Sequence, residues 1–247
     1  MSTKVLIIIP TYNEAERISQ TLLDLSLIGK SLAGEFEIDI LHVDDNSPDG
    51  TAQIATSLSL ANYHQILRPG KGGLGPAYIA GFKWALARDF QIVVEMDADG
   101  SHLATELPGL LRSLDGAGLV IGTRWITGGS VVNWPWYRQL ISKVGTRYAQ
   151  IALQLPFRDL TSGFRAFTRE TLANIPLDRI QSKGYGFQIE LVMQASQSGS
   201  TIKEFPITFF ERTVGRSKMT YRIALEALAM ITKWGIQKRL RLGIFRR

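Results

Sequence analysis

The stretch Ile92-Val93-Val94-Glu95-Met96-Asp97-Ala98-Asp99 decides how this chain is interpreted. Its apolar first part is typical of a buried strand, and two carboxylates follow one residue apart where that strand ends. Two carboxylates so close together need a compensating cation if they are buried. Ligands of open α/β sheets bind at the carboxyl ends of the strands. The arrangement therefore suits a divalent metal that holds a phosphorylated substrate, the alternative being a solvated turn after a strand.

Short apolar runs alternate with helical patterns through the first two-thirds of the chain. We predict strands over residues 5–9, 36–43, 63–67, 91–96 and 119–122, and helices over 14–28, from about 49, and over 74–87. Beyond these we expect a loop over 125–136, helices over 138–153 and 187–198, and strands over 163–168 and 201–209. Pro206 predicts an edge position or a bulge for the last strand. The alternation of helices with almost continuously apolar strands predicts an α/β fold with a mostly parallel, doubly wound sheet.

Composition narrows the possible functions of the 247 residues. With 45% hydrophobic residues the chain can form one large core, and with no cysteine it has no disulfide, thiolate metal site or cysteine nucleophile. No apolar run approaches the ~18 residues of a membrane-spanning helix, so we expect no integral membrane segment. The net charge is +6, and six cations with no acid lie from Lys233 onward. Because the excess lies on one terminal segment, nucleic-acid binding is disfavoured.

Four polar segments follow the first four predicted strands, and so should meet at one edge of the sheet. They are Pro10–Glu14, Val43–Gly50, Gly70–Gly75 and Asp97–Asp99. In the first, Tyr12 could lie flat against a base or ribose. An aspartate of the second could accept hydrogen bonds from guanine or uracil. In the third, glycines and Lys71 at a helix N-terminus favour phosphate. For the first two segments the alternative is a turn with a helix cap.

These segments, together with blocks further along the chain, resemble the polyprenyl-phosphate mannose synthases, which are inverting family-2 glycosyltransferases with a GT-A fold. The resemblance covers about residues 4–220 and is carried by PTYNE (10–14), VDDNSPDGT (43–51), GKGGLGPAY (70–78), MDADGSH (96–102), GTRW (122–125), NWPWYR (133–138), LTSGFRAF (160–167), GYGFQIEL (184–191) and ERTVGRSKM (211–219). The first, second and fourth blocks are typical of the whole superfamily. The later blocks resemble the polyprenyl-phosphate branch.

The resemblance implies roles for individual residues. Residues expected at the nucleotide sugar are Pro10, Tyr12, Glu14, Val43, Asp45, Lys71, Asp97, Ala98, Asp99, Arg124, Arg212 and Lys218. Those expected to act in catalysis are Asp97, Asp99, Arg124, Arg212 and Lys218, and those expected at the acceptor phosphate are Arg138 and Ser217. Asp99 is expected to bind Mg²⁺ or Mn²⁺ across the diphosphate. Ser101, which stands where some relatives carry glutamine as a further metal ligand, is expected to be the second metal ligand beside Asp99.

The activity implied by the resemblance is transfer of mannose from GDP-mannose to polyprenyl (dolichyl-type) monophosphate with inversion. The alternatives are a polyprenyl-phosphate glucosyltransferase that uses UDP-glucose, and a noncatalytic nucleotide-sugar sensor. The chain lacks the Gln-x-x-Arg-Trp motif of processive enzymes, which favours one sugar per acceptor.

The C-terminal segment is expected to bind a membrane surface. We expect a catalytic domain over residues 1–219 and an amphipathic, basic helix or tail over 220–247. The alternative for this segment is a core helix with a basic end. These features imply a peripheral protein at the cytoplasmic face of a membrane, with a separate membrane-embedded anchoring subunit and no nucleic-acid partner.

Overall fold

The computed structural model describes residues 2–180, 182, 184–212 and 221–244. Within these ranges, residues 185, 221–224 and 241–244 are described only as parts of their helices. The strands are β1 (Thr3–Thr11), β2 (Phe36–Asp44), β3 (Tyr63–Leu67), β4 (Ile92–Glu95), β5 (Leu119–Thr123), β6 (Ser130–Val132), β7 (Arg165–Thr168), β8 (Ile202–Pro206) and β9 (Thr208–Phe210). The α-helices are α1 (Ile18–Ser31), α2 (Thr51–Ser57), α3 (Leu74–Leu86), α4 (Leu107–Arg112), α5 (Trp136–Leu153), α6 (Arg169–Ala173), α7 (Gly184–Gln197) and α8 (Tyr221–Ile244).

A seven-stranded sheet forms the centre, in the order β3-β2-β1-β4-β7-β5-β8. The pairs within β3-β2-β1-β4 are parallel, as is the pair β5-β8. Strand β7 lies between β4 and β5 and runs antiparallel to both. The predicted mostly parallel α/β sheet is confirmed, and the reversed strand is a feature that alternation alone did not indicate.

Strand β1 shows why its sequence is almost wholly apolar. Residues Val5 to Ile9 are completely buried, because helices cover both faces of the sheet. Leu6 and Ile8 belong to the core that includes α3 and α7, whereas Val5, Ile7 and Ile9 belong to the core that includes α1 and α4. Side chains alternate between the two layers along the strand, as a period of two requires.

The region after β5 differs from its prediction in two places. The strand predicted over 201–209 is divided at Ile207, whose amide donates to the Thr123 carbonyl at 3.1 Å. Its first part, β8, ends at Pro206 on the sheet edge, as that proline indicated. Its second part, β9, pairs in parallel with β6, which lies inside the segment predicted as a loop. Helices α4 and α6 were not predicted, because five or six residues are too short for a clear helical period.

The last helix, α8, packs against the body of the protein. Ala227 and Ile231 are buried, and the Lys238 ammonium donates to the Leu153 carbonyl at the end of α5 at 2.5 Å. Among the described residues no helix is both long and apolar enough to cross a membrane.

Candidate active site

Parallel strands place the predicted polar segments together. Strands β1, β2, β3 and β4 are consecutive neighbours that run in one direction, so their carboxyl ends form one edge. The four segments that follow these strands therefore lie side by side, as predicted.

Asp97 and Asp99 follow β4, which is the central strand of the seven-stranded sheet. The side chain of Asp97 is 30% exposed and that of Asp99 is 21% exposed. Asp99 Oδ1 accepts the Ser101 amide at 3.0 Å, and the His102 ring nitrogen Nε2 lies 3.7 Å from Asp97 Oδ2. A Cβ at Gly163 would lie 2.9 Å from Asp97 Oδ2, so this glycine lets the backbone approach the carboxylate. Both carboxylates therefore remain partly exposed at the sheet edge.

Arg212 links the first and fourth segments. Its Nη2 donates to Glu14 Oε1 at 2.6 Å, and its Nε lies 3.3 Å from Asp99 Oδ2. Burial lowers the pKa of Arg212, but the charges of Asp99 and Glu14 outweigh burial and raise it above its usual value. Arg212, which the family resemblance led us to expect at this site, lies here in the structure. Ser217 and Lys218 lie outside the described residues.

The donors at this edge fit a hard divalent cation. Asp97 and Asp99 supply carboxylate oxygens, the ligand type that Mg²⁺ and Mn²⁺ prefer. The described residues contain no cluster of three or more His, Cys, Asp or Glu side chains suited to a metal. Two carboxylates suit a site whose remaining ligands are substrate phosphates and water, which is the usual way Mg²⁺ is bound. Ser101 is buried, and its carbonyl accepts the Phe210 amide at 3.0 Å.

The glycine-rich segment faces Asp45. The amides of Gly72 and Gly73 donate to Asp45 Oδ2 at 2.8 and 3.1 Å, and Arg68 forms an ion pair with Oδ1. The anion at the N-terminus of α3 is therefore Asp45. In this structure the partner of these two amides is an internal carboxylate, where the sequence favoured a phosphate.

Other predicted nucleotide residues fall into two groups. Lys71 and Tyr12 lie together, with the Lys71 ammonium 4.5 Å from the centre of the Tyr12 ring. Pro10 and Val43 are paired across β1 and β2 and are buried, as is Ala98. The side chains of these three support the site from within the core, so only their backbone can face a ligand.

Asp44 is a polar residue of this edge whose separate role the sequence did not reveal. It is completely buried and accepts the Thr11 hydroxyl at 2.7 Å and the Ser47 hydroxyl at 2.6 Å. The buried His42 ring contacts the same Thr11 hydroxyl at 2.6 Å, and burial lowers the pKa of His42 to about 4. Asp44 fixes the loop, whereas the adjacent Asp45 binds the glycine segment.

Arg124 is directed inward. Its Nε and Nη2 donate to the two oxygens of Asp159 at 2.7 and 2.8 Å, and both side chains are almost fully buried. Burial raises the pKa of Asp159, but the Arg124 charge and hydrogen bonds outweigh burial and hold it below its usual value. Trp134 and Phe209 lie against the guanidinium, with ring centres 5.2 and 5.1 Å away. The expectation that Arg124 reaches the donor sugar is not met in this conformation, because its Nε and Nη2 atoms both donate to Asp159.

Arg138, predicted at the acceptor phosphate, forms an ion pair with Glu211 and lies 4.7 Å from the centre of the Trp134 ring. Glu211 directly precedes Arg212, so the start of α5 and the end of β9 meet beside the two aspartates.

The sequence missed Asp159, although an acid immediately before the 160–167 block is a signal that could have identified it.

A buried polar cluster lies behind Asp97. Glu95 and Arg165 are partners across β4 and β7, and both are completely buried. Burial, reinforced by the charge of Asp97 and opposed by that of Arg165, raises the pKa of Glu95 to about 8. Arg165 donates to the carbonyls of Gln188 at 2.6 Å and Leu160 at 2.8 Å, which ties α7 to the segment that carries Asp159. The sequence signal for this cluster is a glutamate inside an apolar strand.

Comparisons with known proteins agree with this geometry. Residues 6–175 match the model of the glycosyl transferase family 2. The chain is 47% identical over 238 residues to the undecaprenyl-phosphate mannosyltransferase of Micrococcus luteus, covering 96% of each protein. It is 45% identical over 241 residues to the polyprenol monophosphomannose synthase of Mycolicibacterium smegmatis, covering 96% of this chain and 89% of that protein.

Solved structures are similar in fold. Glucosyl-3-phosphoglycerate synthase from Mycobacterium tuberculosis, in complex with Mn²⁺, uridine diphosphate and phosphoglyceric acid, superposes with a TM-score of 0.66 at 19% identity. The match covers 91% of this chain and 75% of that chain. The GT-A-like fold predicted from the sequence is thereby confirmed.

Proposed function

We propose that this chain, which belongs to glycosyl transferase family 2, transfers mannose from GDP-mannose to a polyprenyl monophosphate with inversion at the sugar. The observation that carries the proposal is the arrangement of Asp97 and Asp99 at the sheet edge, with Arg212 spanning from Asp99 to Glu14. Carboxylates for a metal beside a fixed guanidinium suit a sugar diphosphate. The names of the relatives at 45–47% identity support mannose as the sugar and a polyprenyl phosphate as the acceptor.

The alternative donor, UDP-glucose, has weaker support. The solved structures that contain uridine nucleotides are about 20% identical or less, so they bear on the fold alone. The sugar of the closely similar relatives is mannose. The preference for GDP over UDP rests on the family resemblance, since Asp45 is bound to the glycine segment and offers no distinction between the two bases.

The residues at the edge match the needs of sugar transfer. Asp97 and Asp99 would hold Mg²⁺ or Mn²⁺, which neutralises charge that develops on the diphosphate leaving group. Arg212 adds a positive charge in a water-poor position, held in place by Glu14. Together these groups favour departure of the nucleotide diphosphate. We assign Arg124 as a positioning residue, held by Asp159, that keeps Trp134 and Phe209 in place.

The acceptor explains why no general base is needed. The second ionisation of a phosphate monoester lies near pH ~6, so the acceptor arrives as an anion and is already nucleophilic. Arg138, with Ser217 and Lys218 from the segment beyond Arg212, would align that phosphate. A single in-line displacement inverts the sugar, so an α-linked donor gives a β-linked product.

The acceptor also implies a membrane location. A polyprenyl chain lies in a bilayer, and the protein would meet it as a peripheral protein at the cytoplasmic face. We propose that residues 1–219 form the catalytic domain and that the basic segment 220–247 contributes to membrane binding, with a separate membrane-embedded subunit as anchor.

The test is transfer of labelled mannose from GDP-mannose to polyprenyl phosphate, scored by extraction into an organic phase. Reactions with Mg²⁺, with Mn²⁺, with a chelator and with labelled UDP-glucose run in parallel. We expect metal-dependent label in the lipid phase from GDP-mannose alone. Label from UDP-glucose alone would contradict the assigned donor, and label that survives chelation would contradict the metal.

Two variants locate the chemistry. Asp99→Ala should reduce transfer by about 100-fold or more, because it removes charge stabilisation of the leaving group. Asp24→Ala, an exposed aspartate on α1, is the matched control and should keep full activity. Full activity of Asp99→Ala would contradict the assignment. If the parent protein transfers nothing, added membranes test for the anchoring subunit, and inactivity in their presence would contradict the proposal.

A further inference from the structure

A groove of about 810 Å³ lies between α5 and residues 154–158. Trp125, Ile151 and Leu155 form its apolar wall. Lys143, Arg147 and Arg158 are its charged lining residues, and among the residues that the structure describes no carboxylate lines it. The groove therefore combines positive charge with apolar surface, which is the combination that an anionic amphiphile requires.

The three cations are available to a ligand. All are exposed, and among the described residues none of the three forms an ion pair with a carboxylate, in contrast to the nearby Arg124 and Arg138. The Lys143 ammonium lies 4.8 Å from the centre of the Trp125 ring. The sequence from 133 to 158 contains four cations and no acid, which gives this segment a positive net charge.

The groove opens beside an unusual apolar surface. Of the fifteen exposed large apolar side chains among the described residues, eleven lie on α5 and α8. They are Trp136, Tyr137, Leu140, Ile141, Val144, Tyr148 and Ile151 on α5, and Leu225, Leu228, Ile236 and Leu240 on α8. The two helices are joined through the Tyr148 and Thr232 hydroxyls, 2.7 Å apart, so the set forms one surface, the α5–α8 face. Ile151 belongs both to this face and to the groove.

The chemistry of the α5–α8 face indicates a lipid surface. Aromatic side chains beside aliphatic ones, with cations at the margins, are typical of a helix that lies in a membrane interface. Exposed Lys233 and Arg239 extend the positive margin along α8, where Glu226 is the one acid in the segment 221–247. A nucleic acid would match the charge but not the apolar face.

We propose that the groove binds the phosphate headgroup of an anionic membrane phospholipid, and thereby holds the α5–α8 face on the bilayer. Lys143, Arg147 and Arg158 would surround the phosphate, while Trp125, Ile151 and Leu155 contact the first carbons of the lipid chains. The site is separate from the metal site at Asp97 and Asp99. The inference builds on the proposed membrane location but is independent of the sugar that is transferred.

The experiment measures sedimentation of the full chain with vesicles. One set is neutral phosphatidylcholine, a second adds phosphatidylglycerol, and a third adds polyprenyl phosphate. The test variant carries Lys143→Gln, Arg147→Gln and Arg158→Gln. The control variant carries Lys30→Gln, Lys83→Gln and Arg112→Gln, which removes the same charge from exposed positions on α1, α3 and α4. Urea unfolding midpoints verify that both variants fold.

We expect the test variant to bind phosphatidylglycerol vesicles on the order of 100-fold more weakly, from about a fivefold loss for each of the three cations. The control should stay within about threefold of the parent, because charges beyond a Debye length are screened. Mannose transfer to detergent-dispersed polyprenyl phosphate should be unchanged in the test variant.

Three outcomes would overturn the proposal. They are equal losses in the two variants, unchanged vesicle binding by the test variant, and a loss confined to the polyprenyl phosphate vesicles together with a raised KM for that acceptor. The last outcome would make the groove part of the acceptor site. Vesicle binding needs no sugar transfer, so failure of the proposed activity leaves the result interpretable.

Discussion

Asp159→Asn is the substitution whose effect follows most directly from the structure. Asp159 and Arg124 form two hydrogen bonds at 2.7 and 2.8 Å, and their side chains are 0% and 5% exposed. Asparagine keeps the shape of the side chain but removes its charge, so the Arg124 guanidinium remains buried without a counter-charge. Breaking one partner of such a pair costs about 3–5 kcal/mol of the free energy of unfolding.

The measurement is urea unfolding at neutral pH, followed by circular dichroism. Glu35→Gln is the matched control, because Glu35 makes a similar two-pronged contact with Arg112 but both side chains are about half exposed. Exposed pairs of that kind contribute little to stability, because water and salt screen the two charges. Arg124→Gln combined with Asp159→Asn should cost less than the sum of the two single changes, since no buried charge remains. A loss below about 1 kcal/mol for Asp159→Asn, or strict additivity, would refute the reasoning.

Three further predictions test other parts of the fold and site. Arg212→Gln should lower kcat/KM for mannose transfer by about 100-fold, and a change below about threefold would remove Arg212 from the catalytic set. Burial keeps the His42 ring neutral, so its pKa is about 4 in the folded protein and 6.5 in the unfolded chain. The unfolded chain is therefore protonated first as pH falls, and about 3 kcal/mol of the free energy of unfolding is lost between pH 6.5 and pH 4. His42→Gln should flatten this part of a pH–stability profile, and an equally steep profile would contradict it. Gly81→Ala should lower stability by about 1–3 kcal/mol, because the new Cβ would lie 2.7 Å from Ile8, whereas Gly145→Ala, with nothing within 4 Å, should raise it by about 0.5–1 kcal/mol. Equal unfolding midpoints for the two alanine variants would contradict the packing argument.

The parallel half of the sheet could be predicted because its physical signal is local. Strand β1 needs apolar residues at every position when helices cover both faces, and Val5 to Ile9 satisfy this without exception. The direction of β7 could not be predicted, because a strand such as Arg165–Thr168 carries the same side-chain pattern whichever way it runs. The division of β8 from β9 at Ile207 depends on a backbone contact with Thr123, which is distant in the sequence.

Some features of the candidate site could likewise be predicted from the sequence, and others could not. Glu14 and Asp99 follow β1 and β4 at one edge of the sheet, and the family resemblance indicated that Arg212 would join them there. The hydrogen-bond partners of individual site residues could not be predicted in this way. Nothing in the sequence indicates that Asp45 accepts the amides of the glycine segment, or that Asp159 binds Arg124, since both pairings join residues more than twenty positions apart.

The distribution of charge joins the proposed activity to the proposed membrane contact. Around Asp97 and Asp99 the cations that lie close by are held by acids: Arg212 by Glu14 and Arg138 by Glu211. Fixed cations suit a reaction centre, because the field is in place before charge develops on the leaving group. At the groove beside α5, Lys143 and its neighbours have no such acid among the described residues, which suits a surface that must bind and release lipid. The same α5 begins beside the reaction centre and continues along the groove, so a lipid acceptor held by the bilayer would reach the site along one helix.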